Sequence, residues 1–230
     1  MTPMPTVRAQ PQPSIAAVPE LQRFSLSWCW AYVRQQFVLL SFFGLGLLVS
    51  TLCSLVMALF GRWISQATGR VWVCRLYRFW LNYSIRLGVF DIQFPDAEAF
   101  SQIRGCIIAA NHPTVVDAIL LMSSNPHTVC IMRASLAKNR SLGGVARLAG
   151  YVTNDCGPAL IHQGVQKIQN KENLLIFPEG TRTTDQAVNP FKNGFALIAS
   201  RSGAPIQTVF IEREAGYLGK GVSFFSSTPL

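Results

Sequence analysis

The chain has 230 residues, half of them hydrophobic and only 13% charged, against about 25% charged in an average soluble domain. That length suits one ordinary domain with a tail or an anchor. Cys29, Cys53, Cys74, Cys106, Cys130 and Cys156 are scattered, without C-x-x-C or Cys/His spacing, which excludes a zinc module and predicts small buried hydrophobes in a reducing compartment. The net charge of +9 is uneven: residues 1–90 hold eight Arg and one acid, giving +7, and residues 91–230 hold twelve basic and ten acidic residues, giving +2. A basic segment beside an apolar run fits anionic lipid headgroups, and with no nucleic-acid motif present, nucleic acid is not an expected partner.

Residues 1–20 contain five prolines and are expected to be a disordered tail. They are not a signal peptide, because the apolar stretch starts too late and no small-residue cleavage site follows it. Between Arg34 and Arg62 lie 27 residues without a charge, with the core "FVLLSFFGLGLLVSTLCSLVMALF" at 37–60. As a helix it would reach ~36 Å, enough for a hydrocarbon core of ~30 Å. Gly44 and Gly46 could permit a break, so both a crossing and a dip into one leaflet stay open. For a crossing, Arg8, Arg23 and Arg34 precede the segment while Arg62, Arg70, Arg75, Arg78 and Arg86 follow it. That bias places the C-terminal side at the cytoplasmic face of the cell (inner) membrane.

"RVWVCRLYRFWLNYSIRLGVF" (70–90) is amphipathic. Arg75, Arg78, Asn82 and Arg86 share one side of a helical wheel; Trp72, Val73, Leu76, Trp80, Tyr83 and Leu87 point the other way. The pattern predicts a helix lying at a membrane surface, with Trp72 and Trp80 as anchors.

From about residue 90, short apolar runs alternate with helical patterns. Strands are expected at 90–94, 106–110, 128–132, 173–177 and 205–211, and helices beginning near 114, 141, 159 and 191. The fold class is α/β: a mixed, largely parallel sheet flanked by helices, with an N-terminal membrane helix and an interfacial amphipathic helix. The expected units are a Pro-rich tail and juxtamembrane segment (1–34), an anchor (35–61), a basic interfacial helix (62–90) and the α/β domain (91–230). No internal repeat is present. In such sheets, sites form at the carboxyl ends of strands.

Two clusters fall at such ends. His112 follows "CIIAA", and Pro113 suits the start of a helix. Asp117 falls in the first turns of that helix, where its carboxylate can fix the imidazole tautomer and stabilise the imidazolium. His112 and Asp117 thus read as a general base and its orienter. The second cluster is "NLLIFPEGTR" (173–182). Gly180 permits a close turn, Arg182 offers a planar fork of donors for a phosphate, and Thr181 adds a hydroxyl. Glu179 cannot bind phosphate; it is expected to orient Arg182 or to accept from a substrate hydroxyl. G-x-S-x-G is absent, and no protein nucleophile is visible. His127 reads as a loop residue and His162 as a helix-surface or capping residue.

"NHPTVVD" and "FPEGTR", with Glu179 67 residues after His112, together resemble the glycerolipid and lysophospholipid acyltransferase family, over roughly residues 60–215. The resemblance implies that His112 removes a proton from an acceptor hydroxyl, whose oxygen attacks the thioester of acyl-CoA or acyl-carrier protein. Glu179, Gly180, Thr181 and Arg182 would bind the headgroup of a lysophospholipid acceptor, lysophosphatidate by default. A thioester is already activated, so no cofactor and no metal are implied. "CIMRASLAKNRSLGGVARLAG" (130–150) resembles the family's second block, with Arg133 in place of a lysine and Gly143 matching a glycine. Lys192 and Gly194 resemble a feature after the Arg motif. "YVTNDCG" (151–157) lacks the family's arginine, and Thr208 stands where a second proline is expected. These departures keep a specialised bacterial acceptor, of aryl polyene or ornithine lipid type, as an alternative. A non-catalytic lipid- or carrier-binding protein is the more remote one.

Overall fold

The computed structural model describes residues 25–61, 63–155, 157–184, 188–213 and 218. The expected disordered tail, Arg8, Arg23, Arg62 and Cys156 lie outside these. The elements run α1 (Leu26–Phe60), α2 (Gln66–Arg86), α3 (Ala97–Gln102), β1 (Ile107–Ala110), α4 (Asp117–Ser124), β2 (Thr128–Met132), α5 (Ala134–Ala137), α6 (Gly143–Ala149), β3 (Val152–Thr153), α7 (Pro158–Gln169), β4 (Asn173–Ile176), α8 (Gly194–Ser202) and β5 (Ile206–Val209).

The strands form one sheet in the order β3-β2-β4-β1-β5, and every pairing among the described residues is parallel. Parallel strands need crossovers, and helices covering both faces leave the strands apolar on both sides. Alternation divides the core accordingly. Cys106, Ile108 and Ala110 of the β1 region join Leu175 under α1, α2, α4 and α6. Ile107, Leu174 and Ile176 face the other way, with Ile168 of α7 and Ile198 of α8. Ile107, Ile108, Leu174 and Leu175 are fully buried, and each such side chain contributes ~1.5–3 kcal/mol.

Residues 90–94 do not form the expected strand. Gly88 turns the chain at φ +63°, after which Phe90 packs on the Trp80 ring and Phe94 on Phe100. The aromatic side chains close the end of the core instead of adding an edge strand.

Helix α1 begins at Leu26, where the Ser25 hydroxyl accepts the N–H of Trp28 as an N-cap. It is long and apolar enough to cross a membrane. One face is nonetheless docked: Arg34 donates to the Gly88 carbonyl at 3.0 Å, Val38 and Leu39 are buried, and Arg147 of α6 donates to Ser54 Oγ at 2.8 Å. Phe37, Leu40, Leu48, Leu55 and Leu59 on the other face are exposed.

Helix α2 forms where the amphipathic pattern places it, but its faces are used differently. Trp80, expected as a membrane anchor, is 3% exposed; it packs on Phe42 at 5.0 Å and donates to Ser41 Oγ at 3.3 Å. Trp72 remains exposed. Arg70 is buried, ion-paired with Glu172 and bonded to the Ala149 carbonyl. Arg78 holds the Ser123 carbonyl at the end of α4 through Nε at 3.1 Å and Nη2 at 2.9 Å. Of the arginines expected on the polar face, Arg78 stays exposed while also bonding α4.

Candidate active site

Strands β1 and β4 are neighbours, and their register decides which loop residues meet. Ala109 pairs with Ile176, 67 residues later (176 − 109). Three residues beyond each, the same offset brings His112 beside Glu179, and the His112 N–H donates to Glu179 Oε1 at 3.1 Å. The spacing between the two motifs is the register of two adjacent parallel strands.

Asn111 extends the sheet with its side chain. Its Nδ2 donates to the Ile211 carbonyl at 2.9 Å, and the Ile211 N–H donates to Oδ1 at 2.6 Å. The amide imitates a ladder rung to the chain following β5, so the backbone can leave the sheet at His112 without orphaning buried polar groups.

His112 Nδ1 lies 2.8 Å from Asp117 Oδ2. Asp117 is 2% exposed and also accepts from the Thr114 N–H at 2.7 Å and from the Thr114 hydroxyl. A carboxylate that only accepts requires the proton on Nδ1, which leaves the Nε2 lone pair available as a base. Nε2 makes no hydrogen bond among the described residues, and the side chain is 21% exposed. Phe177 stacks on the imidazole, with centroids 4.1 Å apart and planes at 19°, fixing the ring's tilt. The two bonds from Thr114 tie the first residue of α4 to the loop before it and hold the Asp117 carboxylate towards His112.

Glu179 is 2% exposed and makes neither expected contact. Its Oε1 accepts from the His112 N–H and from the Thr183 hydroxyl at 2.6 Å, and its Oε2 accepts from the Asn189 N–H at 2.9 Å. Thr183 Oγ1 also lies 3.0 Å from the His112 nitrogen, and the Thr183 N–H donates to the His112 carbonyl at 2.7 Å. Glu179 thus ties the two loops together with an inward-turned carboxylate and does not orient Arg182. Sequence reasoning missed Phe177, Thr183 and Asn189 as partners of the site; only the register reveals them.

Gly180 adopts φ +65°, a left-handed conformation that favours glycine. Thr181 is half-buried and makes no hydrogen bond among the described residues. Arg182 is half-buried, with Nη1 3.5 Å from the Leu218 carbonyl. Arg133 ends β2 and is exposed, and the Asn154 side chain accepts the next residue's N–H at 3.2 Å. With β4 between β2 and β1, Arg133 stands two strand spacings, about 10 Å, from the His112 strand. A cleft of about 410 Å³ lined by Arg75, Arg78, Phe79, Asn82, Tyr83 and Arg86 contains none of these residues. His127 lies in a turn and His162 on the exposed side of α7.

The parallel α/β domain therefore presents a carboxylate-oriented histidine beside an arginine-bearing loop at the carboxyl ends of adjacent strands. The chain belongs to the acyltransferase family, whose model, described as Acyltransferase, matches residues 91–212. It is 25% identical over 189 residues to human (Homo sapiens) 1-acyl-sn-glycerol-3-phosphate acyltransferase beta, covering 78% of this chain and 65% of that protein. It is 33% identical over 110 residues to a 1-acyl-sn-glycerol-3-phosphate acyltransferase of Limnanthes douglasii, covering 45% of this chain and 39% of that one. The chain thus spans less than two thirds of the length of these relatives. The crystal structure of the 1-acyl-sn-glycerophosphate (LPA) acyltransferase PlsC from Thermotoga maritima shares the fold, with a TM-score of 0.62 at 21% identity over 85% of this chain and 78% of that one.

Proposed function

We propose that this protein transfers a fatty acyl group from an acyl-CoA or acyl-carrier-protein thioester to the free hydroxyl of lysophosphatidate, giving phosphatidate. The observation that carries the reading is the 2.8 Å contact from Asp117 to His112 Nδ1. In the scheme, Nε2 takes the acceptor's hydroxyl proton as the oxygen attacks the thioester carbonyl. The tetrahedral intermediate collapses, the C–S bond breaks, and the proton on Nε2 passes to the departing thiolate. The carboxylate of Asp117 stabilises the transient imidazolium. Base catalysis of this kind contributes ~10²–10⁴-fold, and the scheme calls for no cofactor or metal.

The acceptor and product are lipids, so the site has to work at a bilayer surface. The contacts of α1 with the domain run from Arg34 to Ser54, about 30 Å of helix. A crossing would carry the domain into hydrocarbon, and this supports a helix seated in one leaflet with its exposed apolar face in lipid. Arg75 and Arg86, exposed on α2, would meet anionic headgroups or an acidic carrier protein.

The test uses washed membranes containing the protein or its His112→Ala variant, with both donors and with lysophosphatidate, other lysolipids or a host lipid extract as acceptors. Products are read by mass spectrometry. Phosphatidate formation that falls at least ~100-fold in the variant is the expected result. Histidine-dependent activity on the extract alone assigns a specialised acceptor, and inactivity of folded wild type on every acceptor overturns the enzyme reading.

A further inference from the structure

Resting on the acyl-transfer reading above, we infer that Lys192 is a specificity residue of this site, its ammonium binding the phosphate monoester of the acceptor lipid. Lys192 follows β4 at some distance in sequence, yet it is pinned to the Pro178–Arg182 loop. Its N–H donates to the Pro178 carbonyl at 2.8 Å. Its side chain then crosses Gly180: a methyl built there would lie 2.8 Å from both Cε and Nζ and 2.9 Å from Cδ. The glycine at the centre of this loop therefore has a second role besides its positive φ, because its bare α-carbon is the bed on which the lysine stem lies. The stem and ammonium lie against Gly180, the residue before Thr181 and Arg182 in the loop.

Among the described residues, no carboxylate pairs with the charge at that point. Glu179, the acid adjoining Gly180, is turned inward and 2% exposed, with its oxygens taken by His112, Thr183 and Asn189. The ion pairs among the described residues involve Arg70, His112 and Lys167, and Lys192 forms none. Lys192 is exposed. An ammonium laid against Gly180, next to the carboxylate that holds the His112 backbone, and without an ion pair among the described residues, is suited to a dianionic phosphate. The acceptor's hydroxyl must reach His112, so the phosphate on the same small glycerol unit comes to the adjacent β4 loop. The donor also carries phosphates, and the kinetic arms below separate the two.

The experiment compares purified wild type, Lys192→Ala and Lys192→Arg in neutral mixed micelles, with lysophosphatidate and then acyl-CoA as the varied substrate. Losing a charge-assisted hydrogen bond is expected to raise KM for lysophosphatidate ~10–100-fold in Lys192→Ala. kcat and KM for acyl-CoA stay within about threefold of wild type, and Lys192→Arg recovers most of the affinity because the charge is kept. Weak acylation of monoacylglycerol, which lacks the phosphate, is indifferent to the substitution. Unchanged KM for lysophosphatidate, a fall in kcat alone, or a raised KM for acyl-CoA overturns the assignment while leaving acyl transfer intact. Wild type that is inactive on lysophosphatidate overturns both.

Discussion

Ser50 on α1 accepts the N–H of Gly144 on α6 at 2.8 Å, and a methyl built on Gly144 would meet the Ser50 carbonyl oxygen at 1.9 Å. Gly144 lies in the first turn of α6, whose N–H groups have no partner within their own helix. A serine on the apolar helix supplies one, and only glycine lets the two backbones approach this closely. Gly144→Ala is expected to force α1 and α6 apart at a cost of about 1–3 kcal/mol. The variant should show a lower Tm in detergent and earlier proteolytic cleavage of α1 than wild type. A variant with unchanged Tm and cleavage would contradict the docked position of α1.

Glu179→Gln separates a strut from a substrate ligand. The carboxylate accepts three hydrogen bonds from two loops, and an amide nitrogen in place of one oxygen faces donors with a donor. A cost of about 1–3 kcal/mol is expected, read as a lower Tm. The loop bearing His112 is loosened too, so kcat should fall more than KM for the acceptor rises. A KM effect at unchanged Tm would restore Glu179 to the acceptor's binding set.

The Arg70–Glu172 pair, with side chains 3% and 14% exposed, joins α2 to the start of β4. Glu172→Gln leaves the Arg70 charge buried without its partner and is expected to cost about 3–5 kcal/mol, whereas Arg70→Met leaves Glu172 with Lys167 at 3.3 Å and should cost less. The double variant should cost less than the sum, because the two residues share one interaction. Urea unfolding of the four proteins in one detergent measures this. Additive losses would mean that the two side chains do not interact.

Burial pushes the Cys106 thiol up to about 11 and the Cys130 thiol up to about 12. At pH 8 the Cys106 thiolate is then about one part in a thousand. Iodoacetamide should label Cys29, which is exposed, and spare Cys106 and Cys130 until urea unfolds the domain. The linkage has a definite sign. The folded pKa values lie above the unfolded value of about 8.5, so the unfolded state releases protons first and stability declines as pH rises from about 8.5 towards 12. Rapid labelling of Cys106 or Cys130 in the folded protein, or a Tm that rises over this range, would contradict the burial of these thiols.

The sheet and the His112–Asp117 pair were legible because both obey local rules. Strands β1, β2, β4 and β5 are short apolar runs bounded by polar residues, and Asp117, five residues after His112 at the start of a helix, is within reach of the imidazole. The inward turn of Glu179 was not legible, because it depends on the register between β1 and β4 and on Asn189, ten residues downstream. Trp80 was misread for a related reason. A helical wheel shows which residues share a face, and the polar face of Arg75, Arg78, Asn82 and Arg86 is exposed as it reads, but α2 is packed against α4 and α6 and against Phe42 of α1, so Trp80 on the apolar face is buried in protein rather than set in lipid. Residues 90–94 read as a strand by composition, yet Phe90 and Phe94 are drawn to aromatic partners.

The most direct test of the central claim, that His112 and Asp117 act as one proton-abstracting unit, is a kinetic cycle on purified protein. kcat for acyl transfer to lysophosphatidate is measured in wild type, His112→Ala, Asp117→Asn and the double variant, with Tm confirming that each is folded. The account expects His112→Ala to lose ~10²–10⁴-fold and the double variant to be no worse than His112→Ala, because an orienting carboxylate has nothing left to orient. Activity retained within a few-fold in His112→Ala, or losses that multiply in the double variant, would contradict it.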